Sequence, residues 1–150
     1  MKSRLAATAL VTLSASALAL GACTMDGGST TTTPGGKAAG DGNYTIAVVP
    51  KDATNPWFVR METGVNKYAS DTGMNVFQKG PAETYATMQA QVIQDLIAQG
   101  VDAICVVPVD PGAIEPVLKQ AMDAGIVVVT HEGASQENTM YDIEAFNNTE

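Results

Sequence analysis

Residues 46–58 read Ile-Ala-Val-Val-Pro-Lys-Asp-Ala-Thr-Asn-Pro-Trp-Phe. The short apolar run ends at Pro50, a polar loop follows, and Pro56 stands where a helix can begin, because the first helical position needs no N–H donor. The order of strand, polar loop and helix is typical of the start of a parallel α/β sheet. Ligands of such sheets bind outside the carboxyl ends of the strands. The loop after residue 49 is therefore the first candidate for a binding site.

The same pattern of strand, loop and helix repeats along the chain. Apolar, β-branched runs predict strands over residues 45–49, 74–78, 103–107 and 126–130, with a possible fifth over 140–143. Apolar residues at helical spacing predict three helices that start at Pro56, near Thr84 and at Pro111, and that end at Gly73, Gly100 and Gly125. The stripe of the first helix comprises Trp57, Met61, Val65 and Tyr68, and Met88 and Met122 belong to the stripes of the other two.

Alternating strands and helices predict an α/β fold with a doubly wound parallel sheet, in the strand order two-one-three-four-five. Strands one and three are then neighbours whose connections leave in opposite directions, and a crevice opens at such a point. We expect the loops of residues 50–55, 108–110 and 130–133 to converge there.

The first of these loops offers a cation, an amide and two aromatic rings. Lys51 can donate to a ligand, although a lone loop lysine is more often solvated. Asn55 caps the first helix and has spare amide capacity for a ligand. Trp57 and Phe58 point about 100° apart on a helix, so at most one can pack fully into the core while the other lines the cleft.

The other two loops supply acidic candidates. Glu132 is the best carboxylate for a ligand, with an exposed loop acid as the alternative. Asp110 is most simply the cap of the third helix, with a ligand role second. His131 can be buried, exposed or turned to a ligand.

The N-terminal residues have the pattern of an export signal. Lys2 and Arg4 precede an apolar run over residues 5–20, which indicates a signal peptide over residues 1–22. The tetrad Leu-Gly-Ala-Cys that ends at Cys23 resembles the lipobox of bacterial lipoproteins, and this resemblance implies that Cys23 is acylated. Residues 23–43 are small and polar, so we expect a flexible tether there. Residues 44–150 suffice for one compact domain.

Composition argues against several classes of function. All sixteen acidic residues follow Cys23. The acidic surface expected for this part of the chain disfavours nucleic acid as a partner. Cys105 lies in an apolar run and is interpreted as a buried structural thiol. No Cys/His cluster has metal-ligand spacing. Neither a Gly-rich phosphate loop nor a nucleophile elbow is present, so we expect no enzyme.

Five features of the chain resemble the N-terminal lobe of periplasmic-binding-protein-like sugar receptors, most closely those for autoinducer-2 and rhamnose. They are the lipobox, the segment at residues 46–58, the Gly80–Gln91 run, the Gln-Gly-Val-Asp-Ala-Ile run at residues 99–104 and the Thr-His-Glu-Gly loop. The resemblance implies that two lobes close on the ligand. It also implies that Lys51 bonds a ligand oxygen, and that Asn55, Trp57 and Phe58 line the site edge. Glu132 matches the usual Asp, and Gly133 stands where ribose-type receptors carry Arg, which disfavours a simple pentose.

The second lobe is absent from this chain, which is therefore interpreted as truncated. The function expected from the resemblance is a lipid-anchored receptor of an ABC importer at the outer face of the cytoplasmic membrane or in the periplasm, monomeric when full length. Its expected partners are a sugar or sugar-like molecule and a membrane permease. The alternative is an exported sensor that presents a small molecule to a signalling partner.

Overall fold

A computed structural model describes residues 42–144. The predicted signal, Cys23 and nearly all of the tether lie outside this range. The strands are β1 (Thr45–Val49), β2 (Asn75–Gln78), β3 (Ala103–Val106), β4 (Val127–His131) and β5 (Tyr141–Ile143). They form one five-stranded sheet in the order β2-β1-β3-β4-β5, and every pair is parallel. The predicted fold class and strand order are confirmed, with strand ends within one residue of the expected positions.

The helices are α1 (Pro56–Thr72), α2 (Ala86–Gln99) and α3 (Pro111–Asp123). The starts of α1 and α3 are confirmed, since the side chains of Asn55 and Asp110 accept hydrogen bonds from backbone N–H groups of the first turn. The start of α2 lies two residues after Thr84, near which it was predicted. The Thr84 hydroxyl donates to Asp52 at 2.9 Å, and Tyr85 precedes the helix without a side-chain capping bond.

The core lies between one face of the sheet and the pair α2 and α3. The central strands contribute Ala47 and Val49 from β1 and Ile104 and Val106 from β3. The two helices and the fourth strand add further fully buried residues, namely Ile93, Leu96, Ile114, Leu118 and Val128. This layer fixes the strand ends that carry the candidate site.

Helix α1 lies on the opposite face of the sheet. An apolar groove of about 540 Å³ separates it from β1, and its lining includes Ile46, Val48, Met61 and Val65. The predicted stripe of α1 is partly wrong. Trp57 and Tyr68 are 55% and 51% exposed, while Phe58 is the buried residue of the helix, because this side of its first turn faces the sheet.

Two methionines of the predicted apolar stripes, Met88 on α2 and Met122 on α3, also lie outside the core. Met88 is 38% exposed and Met122 is 36% exposed, because each sits at the margin of its helix's buried face, beside the fully buried Gln89 and Ala121. Within residues 42–144, no helix is both long and apolar enough to cross a bilayer. The same residues contain no group of three or more His, Cys, Asp or Glu side chains that could hold a metal ion.

Candidate functional site

The carboxyl ends of β1, β3 and β4 lie side by side at one edge of the sheet. Val49 is in register with Val106, and Val106 with Thr130. The backbone N–H of Val107 donates to the carbonyl oxygen of Val49 at 2.9 Å, which extends this alignment past the end of β3. The three predicted loops therefore start from adjacent positions, and the following residues are described loop by loop.

A buried carboxylate organises the loop after β1. Asp52 is 7% exposed. Its Oδ1 accepts from the backbone N–H of Thr54 at 2.9 Å and of Asn55 at 2.7 Å, and its Oδ2 accepts from the hydroxyl of Thr84 at 2.9 Å. The Asn55 N–H is the main cause that lowers the pKa of Asp52; burial opposes it, and the bonds from Thr54 and Thr84 add to it. Asp52 therefore fixes the shape of the loop through these bonds.

The segment between β2 and α2 packs against the loop after β1 and bonds to it. The backbone N–H of Lys79 donates to the carbonyl oxygen of Val48 at 2.9 Å, and that of Ala53 donates to Pro81 at 2.8 Å. A Cβ atom on Gly80 would lie 2.5 Å from the Pro50 Cγ, closer than real Cβ contacts come. Residue 80 must therefore be glycine for the two segments to approach this closely.

Lys51 and Asn55 of the loop after β1 and Trp57 in the first turn of α1 reach the surface. Lys51 is half-buried, and its ammonium has no hydrogen-bond acceptor among residues 42–144. Asn55 is exposed, and its Oδ1 accepts from the Trp57 N–H at 2.9 Å, which leaves the amide NH₂ available to donate. Trp57 is 55% exposed.

Phe58 is placed differently from these three residues. Its side chain is 6% exposed, and its carbonyl oxygen accepts from the Gln78 side chain at 3.0 Å. Of the two adjacent rings, Phe58 therefore anchors α1 to the sheet and Trp57 stands at the open edge.

Asp110 in the loop after β3 is exposed and caps α3, its Oδ1 accepting from the Ala113 N–H at 3.1 Å. The preceding residues Val107 and Pro108 are buried, so the loop leaves the sheet from a fixed position. The capping bond occupies one oxygen of Asp110 and leaves the other with capacity to accept.

The loop after β4 is held by an acid of the fifth strand. The Asp142 Oδ1 accepts from the hydroxyl of the buried Thr130 at 2.6 Å and from the Gly133 N–H at 3.0 Å. Burial would raise the pKa of Asp142, but these two groups, together with the Glu144 carboxyl and nearby His131, hold it below the ordinary value. His131 itself is half-buried at the end of β4.

Glu132 has an uncommon backbone conformation. Its φ is 57°, and it is the one non-glycine residue with positive φ in the described range. Its N–H donates to the Ile143 carbonyl oxygen at 3.1 Å, so the pairing of β4 with β5 continues through the strained residue. Residues kept in this region by their surroundings concentrate at functional sites. The half-buried side chain of Glu132 lies at the same strand edge as Lys51.

Gly133 leaves little room for a side chain. A Cβ atom there would lie 3.1 Å from Pro108 Cγ, 3.1 Å from Thr130 Cβ and 3.3 Å from Asp142 Oδ1. An arginine at this position would require its neighbours to move, so this loop is built around a glycine.

Two of the organising acids, Asp52 and Asp142, were not among the predicted site residues. The spacing of Asp52, Thr54 and Asn55 is a signal for the first, because an Asp side chain often bonds the backbone two or three residues on. The signal for the second is weaker: an acid within the short apolar run at residues 140–143. Their partners Thr84 and Thr130 are distant in sequence and were not predictable.

Comparison with known proteins places this architecture in a family. Residues 46–150 match the periplasmic binding protein domain. The ribose import binding protein RbsB of Bacillus subtilis is 31% identical over 115 residues, which cover 75% of this chain and 37% of that protein. The D-ribose/D-allose-binding protein of Pseudomonas aeruginosa is 38% identical over 87 residues, covering 56% of this chain and 27% of that protein.

Solved structures agree with this assignment. LsrB from Clostridium saccharobutylicum in complex with AI-2 is 35% identical with a TM-score of 0.57, covering 59% of this chain and 27% of that chain. A solute-binding protein from Burkholderia graminis in complex with D-arabinose is 31% identical with a TM-score of 0.61, covering 68% and 36%. This chain thus spans about a third of the length of such proteins, all of them binding proteins and none an enzyme. It belongs to the periplasmic binding protein family, as its sheet order and family match show.

Proposed function

We propose that the whole protein is an extracytoplasmic, lipid-anchored solute-binding protein of an ABC importer, and that it holds a sugar or sugar-like molecule such as autoinducer-2 or rhamnose between two lobes. The observation that carries this proposal is the composition of the strand edge. An ammonium without an acceptor in residues 42–144, an amide with spare donors and an exposed indole follow β1, and a carboxylate on a backbone with positive φ follows β4, two strands away at the same edge of the sheet.

These groups complement a ring that bears several hydroxyls. Each hydroxyl both donates and accepts. The Lys51 ammonium and the Asn55 amide donate to ligand oxygens, and the Glu132 carboxylate accepts from ligand hydroxyls. The C–H face of a sugar is apolar and can lie against the Trp57 ring. Asp110 and His131 are proposed as further contacts at the same edge, while the burial of Phe58 gives it a supporting role.

The ligands named for the relatives support the class of ligand. The curated relatives are ribose and ribose/allose receptors, and the solved structures hold AI-2, L-rhamnose and D-arabinose. Ligand binding in a family of this type precedes delivery to a permease, which is the proposed membrane partner. The lipid anchor is proposed from the tetrad that ends at Cys23, and with it a location at the outer face of the cytoplasmic membrane or in the periplasm.

Isothermal calorimetry of the whole protein tests this proposal against D-ribose, D-allose, L-rhamnose, D-arabinose and autoinducer-2. We expect one of them to bind, and we expect Lys51→Ala and Glu132→Ala each to weaken that binding by about 10–100-fold, the loss of a hydrogen bond to a charged group. Lys119→Ala and Glu62→Ala, which alter exposed charges on α3 and α1, serve as controls. Absence of binding to every sugar, or an equal loss in the controls, would contradict the proposal.

A further inference from the structure

Gln89 on α2 is a fully buried polar side chain in an otherwise apolar layer. It is 0% exposed and lies one helical turn from Ile93, a residue of the core. Its Nε2 donates to two carbonyl oxygens, that of Pro50 at 3.0 Å and that of Val107 at 2.8 Å. Its Oε1 accepts from the Val109 N–H at 2.9 Å. Both amide protons and the amide oxygen are therefore used.

The three partners of Gln89 belong to two different loops. Pro50 begins the loop after β1, and Val107 and Val109 lie in the loop after β3. One side chain thus joins both loops. Burying an amide is unfavourable unless it is hydrogen-bonded, and a leucine of similar volume would fill the same space. The amide is thus not needed for packing alone.

The two loops otherwise have unequal support. The loop after β1 is also held by Asp52, by Thr84 and by the close approach of Gly80. Among the backbone bonds described for residues 42–144, the loop after β3 is joined to the end of β1 by the bond from the Val107 N–H to the Val49 carbonyl oxygen. Loss of the Gln89 amide would leave the carbonyl oxygens of Pro50 and Val107 without this donor and would release Val109 from the first loop.

We propose that Gln89 is a positioning residue that sets the separation of the two loops. The loop carrying Lys51 and Asn55 and the loop carrying Asp110 then meet a ligand as one preorganised unit. The inference rests on the proposed function insofar as that ligand is a sugar. Preorganisation contributes to affinity because the loops are already ordered before the ligand binds, so binding does not include the entropy loss of ordering them.

The test compares Gln89→Leu with Ile93→Val in the whole protein. Ile93 is a fully buried residue of the same helix whose side chain cannot form hydrogen bonds, so its truncation lowers stability without removing a hydrogen bond to either loop. We expect Gln89→Leu to weaken binding of the sugar found by calorimetry by about tenfold or more, and Ile93→Val to leave it within about twofold. We also expect Lys51→Ala to cost less affinity in the Gln89→Leu background than in the wild type.

Amide hydrogen exchange provides a readout that needs no ligand. We expect Gln89→Leu to accelerate exchange at Val109, which loses its acceptor, and at Ala53, which lies in the other loop and donates to Pro81 and not to Gln89. Acceleration at neither residue, or at Val109 alone, would overturn the inference, as would unchanged affinity or additive effects with Lys51→Ala. If no sugar binds the wild type, the proposed function fails and exchange at Ala53 still decides the role of Gln89. Gln89→Met, which is more flexible, replaces Gln89→Leu if the latter does not fold.

Discussion

The backbone of Glu132 predicts that stability and ligand binding can be changed in opposite directions at one residue. With φ at 57°, Glu132 occupies the left-handed region, where an L-residue other than glycine is disfavoured by about 1–2 kcal/mol. Glycine adopts this conformation without that cost, but it loses about 0.4–1 kcal/mol more backbone entropy on folding. The net effect of Glu132→Gly is an increase of about 0.5–1 kcal/mol in the free energy of unfolding.

Glu132→Ala is the matched variant, because it removes the same carboxylate and retains the strain. We expect its free energy of unfolding to stay within about 0.5 kcal/mol of the wild type, the usual range for a substitution without a buried contact. Both variants should lose about 10–100-fold in sugar affinity if the carboxylate accepts from ligand hydroxyls. The two substitutions therefore separate the conformational role of residue 132 from its chemical role.

Urea denaturation followed by circular dichroism measures the free energy of unfolding, and calorimetry with the sugar that binds the wild type measures affinity. The reasoning about strain is refuted if Glu132→Gly is no more stable than Glu132→Ala. The reasoning about the ligand is refuted if both variants bind as the wild type does. A gain in stability without loss of affinity would mean that the strain has no connection with binding.

Two further predictions concern the support of the loop after β1. Asp52→Asn should lower the free energy of unfolding by about 1–3 kcal/mol at neutral pH. The folded state lowers the pKa of Asp52 from the ordinary value of 3.8. The stabilisation by the Asp52 carboxylate is therefore present above pH 3.8 and is lost as the pH falls through the folded-state pKa. The free energies of unfolding of variant and wild type, measured by urea denaturation, should converge in acid, and a constant difference at all pH values would contradict this. Gly80→Ala should lower the free energy of unfolding by about 1–3 kcal/mol, because its Cβ would collide with Pro50. Gly64 lies within α1 with open space around the position of a Cβ, so Gly64→Ala should raise the free energy of unfolding by about 0.5–1 kcal/mol, measured by thermal denaturation. Equal effects of the two glycine substitutions would refute the contact.

Much of the fold was predictable because its signals are local. The apolar run of residues 45–49, the prolines after Asn55 and Asp110, and the glycines that end α1 and α2 all act within a few residues of their own position. Strand order followed from the alternation of strands and helices, since parallel strands require crossovers of one hand. The start of α2 was predicted only as near Thr84, and it lies at Ala86; the contact of Thr84 with Asp52, 32 residues earlier, is tertiary and had no local signal.

The candidate site likewise has features that local sequence predicts and features that depend on tertiary packing. The sequence by itself determined that Lys51, Asn55, Asp110, His131 and Glu132 stand at strand ends and helix starts, because those positions depend on periodicity and capping. Only the tertiary structure decided which of Trp57 and Phe58 is buried, since adjacent helical residues differ by which one faces the sheet. It alone assigned the bond of Thr84 to Asp52, that of Thr130 to Asp142 and those of Gln89 to the two loops, because hydrogen bonds between residues far apart in the chain depend on the packing of elements and leave no local pattern in the sequence.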